Sequence, residues 1–176
     1  VTAFRPGPNA KVIATGAAAD AAPIRWDDAA RLLAAERSYW VATTSDDGRP
    51  HVRPMLAVWI DERMYSTTSP AARKGQNLTS RPSAALTART PAMDIVIEGS
   101  ITWIDDPQRL HRIGAVYRDK YGWPVTVVGD AFHAPYAAPT AGYPPYRVYE
   151  LTPVVAYAFG TDGDLAERST RFRFSA

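Results

Sequence analysis

Between Tyr39 and Thr68 the chain reads YWVATTSDDGRPHVRPMLAVWIDERMYSTT, three runs in which apolar and polar residues alternate between short turns. A period of two sends successive side chains to opposite faces of a strand, so this block limits the possible folds more than any other stretch. It predicts three antiparallel strands in a meander. The Asp47-Gly48 pair is a strong hairpin signal, because glycine accepts the positive φ that matches the twist of flanking strands. Pro54 cannot donate to a ladder, which puts the second run at a sheet edge or a bulge.

The third run passes from Thr67 and Thr68 straight into Ser69, Pro70 and AARKGQNLTS. Serine is a good N-cap and proline is tolerated at the first helical position, so a helix capped by Ser69 and closed by Pro82 is expected. SAALTAR and DIVIEGSITWI read as two more strands, the second with Ile95, Ile97, Ile101 and Trp103 on one face. Asp106-Pro107 starts a helix carrying Leu110, Ile113, Val116 and Tyr117 at helical spacing, ending near Gly122. YRVYEL, VVAYAF and STRFRF return to strand texture, and WDDAARLLAAERS is a short amphipathic helix. Residues 1–25 read as an irregular arm before a single domain over 26–176. The proline-rich stretch from Trp123 to Tyr146 reads as an ordered covering loop with one extended segment. Its Trp123, Phe132, Tyr136, Tyr143 and Tyr146 either wall a planar ring or pack a dimer interface. The sum is a mainly β fold of six or seven strands with two or three peripheral helices, closed into a β-barrel to remove exposed edges.

Composition narrows the function classes. A chain of 176 residues with 46% hydrophobic content suits one core. Its 20 basic residues are scattered among 18 acidic ones, which gives nucleic acid no support as a partner. With no cysteine, disulfides and thiol chemistry are excluded. No apolar run approaches the ~20 residues of a membrane span and no leader pattern is evident, so a cytoplasmic protein without a membrane partner is expected. His51, His111 and His133 are not spaced as metal ligands, and no nucleophile triad or carboxylate pair stands out. No catalytic side chain is assigned on these grounds.

TTSPAARKGQNL, residues 67–78, has two readings. A helix start offers free N–H groups to an anion, and Lys74, about one turn beyond Ser69, can fold back towards them. Alternatively Ser69 only caps and Lys74 only faces solvent. Arg53, between a valine and a proline in a strand, must either reach a rim or pair.

Taken in order, YWVATTSDDGRPHVRPMLAVWIDERMYSTTSPAARKGQNL, RPSAALT, the EGS of IVIEGSITWI and the terminal STRFRF resemble the pyridoxamine 5'-phosphate oxidase-like superfamily, the split β-barrel flavin and deazaflavin oxidoreductases. The likeness is to the small branch that uses FMN or a deazaflavin coenzyme of the F-420 type. The longer basic motif of true pyridoxamine phosphate oxidases is missing, which points away from vitamin B6 oxidation. The resemblance implies an FMN-binding-like split barrel and a homodimer with two cofactors at its interface. It implies that Thr67, Thr68 and Ser69 donate to the cofactor phosphate, that Arg73 and Lys74 meet it, and that Asn77 braces them. Arg53, Pro54 and Met55 would lie beside the ring or its ribityl chain, and Arg171 or Arg173 would return to the interface near the cofactor. The activity implied is hydride transfer between the F-420-type deazaflavin, or FMN, and a small planar organic substrate. The alternative is a non-catalytic binding or carrier protein for flavin, haem or a related planar ligand.

Overall fold

The computed structural model describes residues 7–13, 20–137, 142–161 and 163–175. Its elements in chain order are β1 (Asn9–Val12), α1 (Trp26–Ala35), β2 (Tyr39–Thr44), β3 (Pro50–Met55), β4 (Ala57–Ile60), β5 (Arg63–Thr68), α2 (Arg73–Ser80), β6 (Ser83–Arg89), β7 (Met93–Ile104), α3 (Pro107–Tyr121), β8 (Thr126–Val128), β9 (Ala131–His133), β10 (Tyr146–Gly160), α4 (Gly163–Ala166) and β11 (Thr170–Arg173).

All eleven strands join one sheet whose main path runs β1-β11-β10-β7-β6-β2-β3, with β4, β5, β8 and β9 attached off that path. The path ends at β1 and β3 and does not close. The expected mainly β barrel of six or seven strands is therefore corrected to a mixed α/β fold on an open sheet. The free edge at β3 needs no closure to stay unpaired, because Pro50 and Pro54 have no N–H to offer. Pro54 thus sits on an end strand paired only with β2, one of the two positions its chemistry allows.

The strand count differs for local reasons. Leu56 splits the middle run, so that β3 stays on β2 while β4 turns back onto β5. The runs YRVYEL and VVAYAF fuse into one strand of 15 residues, and a register shift between Pro153 and Val155 absorbs the proline as a bulge. β8 and β9 form a small hairpin in the segment expected to be a covering loop, of which residues 138–141 lie outside the described ones. The stretch expected as an irregular arm contributes β1, antiparallel to β11.

The Asp47-Gly48 hairpin forms as expected, with Gly48 at φ 84 and Ser45 N–H donating to the Arg49 carbonyl at 3.0 Å. α3 also starts and stops where its signals lie: Asp106 accepts from the Arg109 amide at 2.7 Å, and the helix closes at a left-handed Gly122. α2 departs from expectation. It begins at Arg73 with Ala72 at the cap position and no side-chain cap bond, so Ser69 is not its N-cap. Ser69 instead opens a tight turn in which its carbonyl accepts from the Ala72 amide at 3.1 Å.

Two cores flank the sheet. One packs α1 and Phe172 against Val41, Leu86, Ile95, Ile97 and Tyr149. The other packs α3 through Leu110, Ile113 and Tyr117 against Trp123, Phe132 and Tyr146. These three aromatics form no open wall; Trp123 and Phe132 lie edge-on to Tyr117 at 5.7 and 6.0 Å. Leaving so much aromatic area in water costs more than packing it, and only Tyr136 and Tyr143 remain exposed.

Cross-strand register also lines up one row over the opposite, outer face: Arg171, Tyr157, Val96, Thr87, Trp40 and Pro54 lie directly opposite one another from β11 to β3. Directly paired residues share a face, so this row is continuous. Trp40 is 49% exposed, Val52 46% and Phe159 39%, and Phe159 stacks on Tyr157 at 5.9 Å.

Candidate functional site

The site begins where β5 hands over to α2. Lys74 turns inward: its Nζ donates to the Thr67 carbonyl at 2.9 Å and sits 5.6 Å from the centre of the Tyr149 ring. Burial pushes the ammonium down to about 8. Gly75 makes this geometry possible, since a Cβ there would lie 2.5 Å from the Ser69 carbonyl oxygen and 3.1 Å from that of Pro70. The turn therefore folds flat against the first turn of the helix, at a distance only glycine tolerates.

The helix is fixed in place from its other face. Asn77 is buried and its Nδ2 donates to Thr43 Oγ1 on β2 at 3.0 Å. Directly across from Thr43 and Val41 on β3 stand His51 and Arg53, which therefore share the face on which α2 rests. Met55 follows on the same face, with Ser66 Oγ and Tyr149 OH donating to its Sδ at 3.3 and 3.2 Å. Tyr149 thus links Met55 to Lys74, one through its hydroxyl and the other through its ring.

Of the residues expected at a cofactor, the structure brings Arg53, Met55, Thr67, Ser69, Arg73, Lys74 and Asn77 to this one region. Thr68 is buried beside them, with its Oγ1 donating to the Ser69 carbonyl at 3.2 Å. Pro54 and Arg171 lie on the outer face instead. They belong to β3 and β11, five strands apart along the main path of the sheet. The Arg171 Nε is shut off from solvent without a hydrogen-bond partner. Arg173 is exposed on the same strand. Thr43 and Tyr149 were not foreseen: Thr43 is 34 residues from Asn77 and Tyr149 comes from β10, and no local pattern announces either contact.

The electrostatics are one-sided. Arg53, Arg73 and Lys74 form no ion pair among the described residues, and the three act together on His51, whose imidazole is held below the ordinary histidine range by burial and then by these cations. Beside them an open cleft of about 700 Å³ separates α2 from the β2–β3 turn, lined by Asp46, Asp47, Arg49, Arg73, Gln76 and Asn77. Arg49 is engaged there by Asp47 at 2.5 Å, which holds that carboxyl down to about 2. Three cations without an ion-pair partner suit a compact anion such as a phosphate monoester. No group of three His, Cys, Asp or Glu that could hold a metal occurs among the described residues. No helix among them is long and apolar enough to cross a membrane. His111 Nδ1 lies 2.7 Å from the Pro107 carbonyl on α3, away from this site, and His133 is half-buried on β9.

An antiparallel sheet with unpaired cations gathered at a strand-to-helix turn is a class of domain chemically suited to phosphorylated ligands, and comparison with known proteins gives its family. The pyridoxamine 5'-phosphate oxidase family matches residues 26–159, and the chain belongs to that family. A pyridoxine/pyridoxamine 5'-phosphate oxidase of Pseudomonas fluorescens is 41% identical over 64 residues, a match covering 35% of this chain and only 30% of that protein. A pyridoxamine 5'-phosphate oxidase-related, FMN-binding protein of Nostoc punctiforme has a similar structure, with a TM-score of 0.54 and 21% identity over 86% of this chain and 90% of that one. An F420 reductase is similar at a TM-score of 0.52 and 22% identity, over 72% of this chain and 93% of that one.

Proposed function

We propose that the chain is a flavin-dependent oxidoreductase that holds FMN by its phosphate at the β5–α2 turn. The observation that carries this reading is Lys74, a buried ammonium without a carboxylate partner, turned towards the Thr67 carbonyl with Arg53 and Arg73 beside it. Arg73 and Lys74 would neutralise the phosphate, the hydroxyls of Thr67 and Ser69 would donate to it, and Asn77 on Thr43 keeps the helix from drifting. Met55, fixed by Ser66 and Tyr149, offers an apolar edge to the ring system. A flavin held there would supply two-electron hydride chemistry towards a planar organic acceptor, with the acceptor's second hydrogen coming as a proton from solvent. The protein's part is to orient, to screen from water and to set the local field.

The neighbouring cleft favours FMN over the F-420-type deazaflavin. An oligoglutamate tail leaving the cradle there would meet Asp46 and Asp47, and Arg49 is already engaged by Asp47. A ligand that ends at its phosphate avoids both carboxylates.

The outer-face row supports a homodimer. It is continuous across the sheet, half-exposed to exposed along its length with Trp40 and the neighbouring Val52 and Phe159 open to solvent, and it ends in an Arg171 Nε that has no hydrogen-bond partner among the described residues. A second copy covering that face would satisfy both features.

Parallel titration of the protein with FMN and with the deazaflavin, followed by ring fluorescence, tests the cofactor. Tighter FMN binding is expected, and binding of neither compound refutes the reading. Reduced FMN held by the protein is then mixed with a quinone or a nitro compound. Oxidation faster than that of free reduced FMN marks an oxidoreductase, and tight binding without acceleration marks a carrier.

A further inference from the structure

We infer that His51 is the proton-linked ligand of this anion site, taking up a proton from solvent as a phosphate binds and donating a hydrogen bond to it. The inference rests on the phosphate-binding reading above and deepens it. His51 is fixed at its backbone, where Thr43 Oγ1 donates to its carbonyl at 3.4 Å. Its ring is held less completely: Nδ1 is shut off from solvent and has no hydrogen-bond partner. A buried polar atom without a partner is costly, and a turn of the His51 ring out of this position would let a ligand complete its bonding.

The charged groups facing the ring are all cations: Arg53 from its own strand and Arg73 and Lys74 from α2. Thr43, opposite on β2, brings no charge. The field therefore keeps the imidazole neutral while the site is open. A phosphate dianion among the same side chains reverses that field, so the protonated ring becomes the favoured form. The balance is one proton from solvent onto the imidazole, with no bond broken in the ligand. Lys74, pushed down to about 8, is mostly charged at pH 7 and adds little to the uptake there.

The test is calorimetric titration with FMN at pH 7.0 in two phosphate-free buffers of different ionisation enthalpy, for the wild type and His51→Gln. The expected result is uptake of about half a proton or more by the wild type, from the linkage between a lowered free and a raised bound value. His51→Gln should take up clearly less and bind FMN roughly threefold to tenfold more weakly, as for a charge-assisted bond replaced by the neutral amide's. Equal uptake by both proteins overturns the inference while leaving FMN binding intact. A second measurement needs no flavin: the His51 ring resonance, assigned by its absence in His51→Gln, is followed through a pH titration with and without inorganic phosphate. An upward move of its midpoint with phosphate supports the inference even if FMN fails to bind, in which case only the flavin reading falls. An unmoved midpoint overturns it.

Discussion

Replacing Lys74 by methionine should make the protein a worse binder and no less stable. Methionine keeps the length and apolar stem of the lysine but carries no charge. Burial holds the Lys74 ammonium at about 8, against an ordinary lysine value near 10.4. That difference corresponds to about 3 kcal/mol by which folding disfavours the charged side chain at pH 7. Methionine removes this cost but leaves the Thr67 carbonyl without its donor, a loss of about 1–3 kcal/mol. Stability at pH 7 should therefore stay level or rise by up to about 2 kcal/mol, read by urea denaturation. The pH dependence gives a sharper test. Between the folded and unfolded values the unfolded chain binds more protons, so wild-type stability rises with pH through that window. From pH 7 to pH 9.5 the Lys74 share of that rise is about 2 kcal/mol, and Lys74→Met should lack it. FMN affinity should fall at least about tenfold, as expected for a lost charge-assisted contact. A variant destabilised by more than about 1 kcal/mol at pH 7, with the same pH slope as the wild type, would refute the reasoning. The lysine would then be a structural tie and not a cation held ready for an anion.

Three further outcomes follow from particular contacts. Glu150, with its side chain 13% exposed on β10, accepts from Tyr65 OH at 2.8 Å and pairs with Arg63 and Arg109, so Glu150→Ala should cost about 1–2 kcal/mol in chemical denaturation by leaving Tyr65 and the half-buried Arg63 without their acceptor. Gly75→Ala drives a methyl into the Ser69 carbonyl and should cost about 1–3 kcal/mol while weakening FMN binding; an unchanged affinity would mean that the turn does not need its close seat on α2. Trp40→Glu, at the 49% exposed tryptophan of the outer row, should convert a dimer to a monomer in sedimentation velocity, and a dimer unaffected by it would place the interface elsewhere.

Much of the local structure was written in single residues. The Asp47-Gly48 turn, the Asp106-Pro107 start and Gly122 stop of α3, and the edge position of Pro54 each follow from one side chain's own geometry. What failed depends on choices between partners. Pro153 looks like a strand terminator, yet β7 and β11 hold β10 on both sides of it and the ladder passes through by a register shift. Leu56 looks like any apolar residue in a strand, yet it is where the chain leaves β2 for β5. Closure into a barrel was inferred from edges that would otherwise be bare, and the prolines of β3 protect one of them without closure.

The site shows the same division more sharply. The spacing from Thr67 to Lys74 is legible as a helix start, and Ser69 looks like its cap, but the cap is absent and the helix begins four residues later at Arg73. That delay matters chemically. A side-chain cap on Ser69 would satisfy helix donors internally, whereas the observed turn uses only the Ser69 carbonyl and lets Gly75 bring the backbone close. The lysine then lies deep enough to lose solvent, which no residue count along the chain reveals because Tyr149 and Thr43 arrive from distant strands. The number of donors already in use is what separates Lys74, with one bond to the Thr67 carbonyl, from the other lysine with a depressed value, Lys120. Lys120 also lies at about 8, but its three donors go to the Ala34 and Ala57 carbonyls and the Tyr39 hydroxyl, tying α1 to the sheet. Equal displacement of two ammonium groups thus has two causes with opposite meanings. One has its donors taken up by the fold, whereas the other sits among unpaired cations, beside a histidine nitrogen that still lacks a partner.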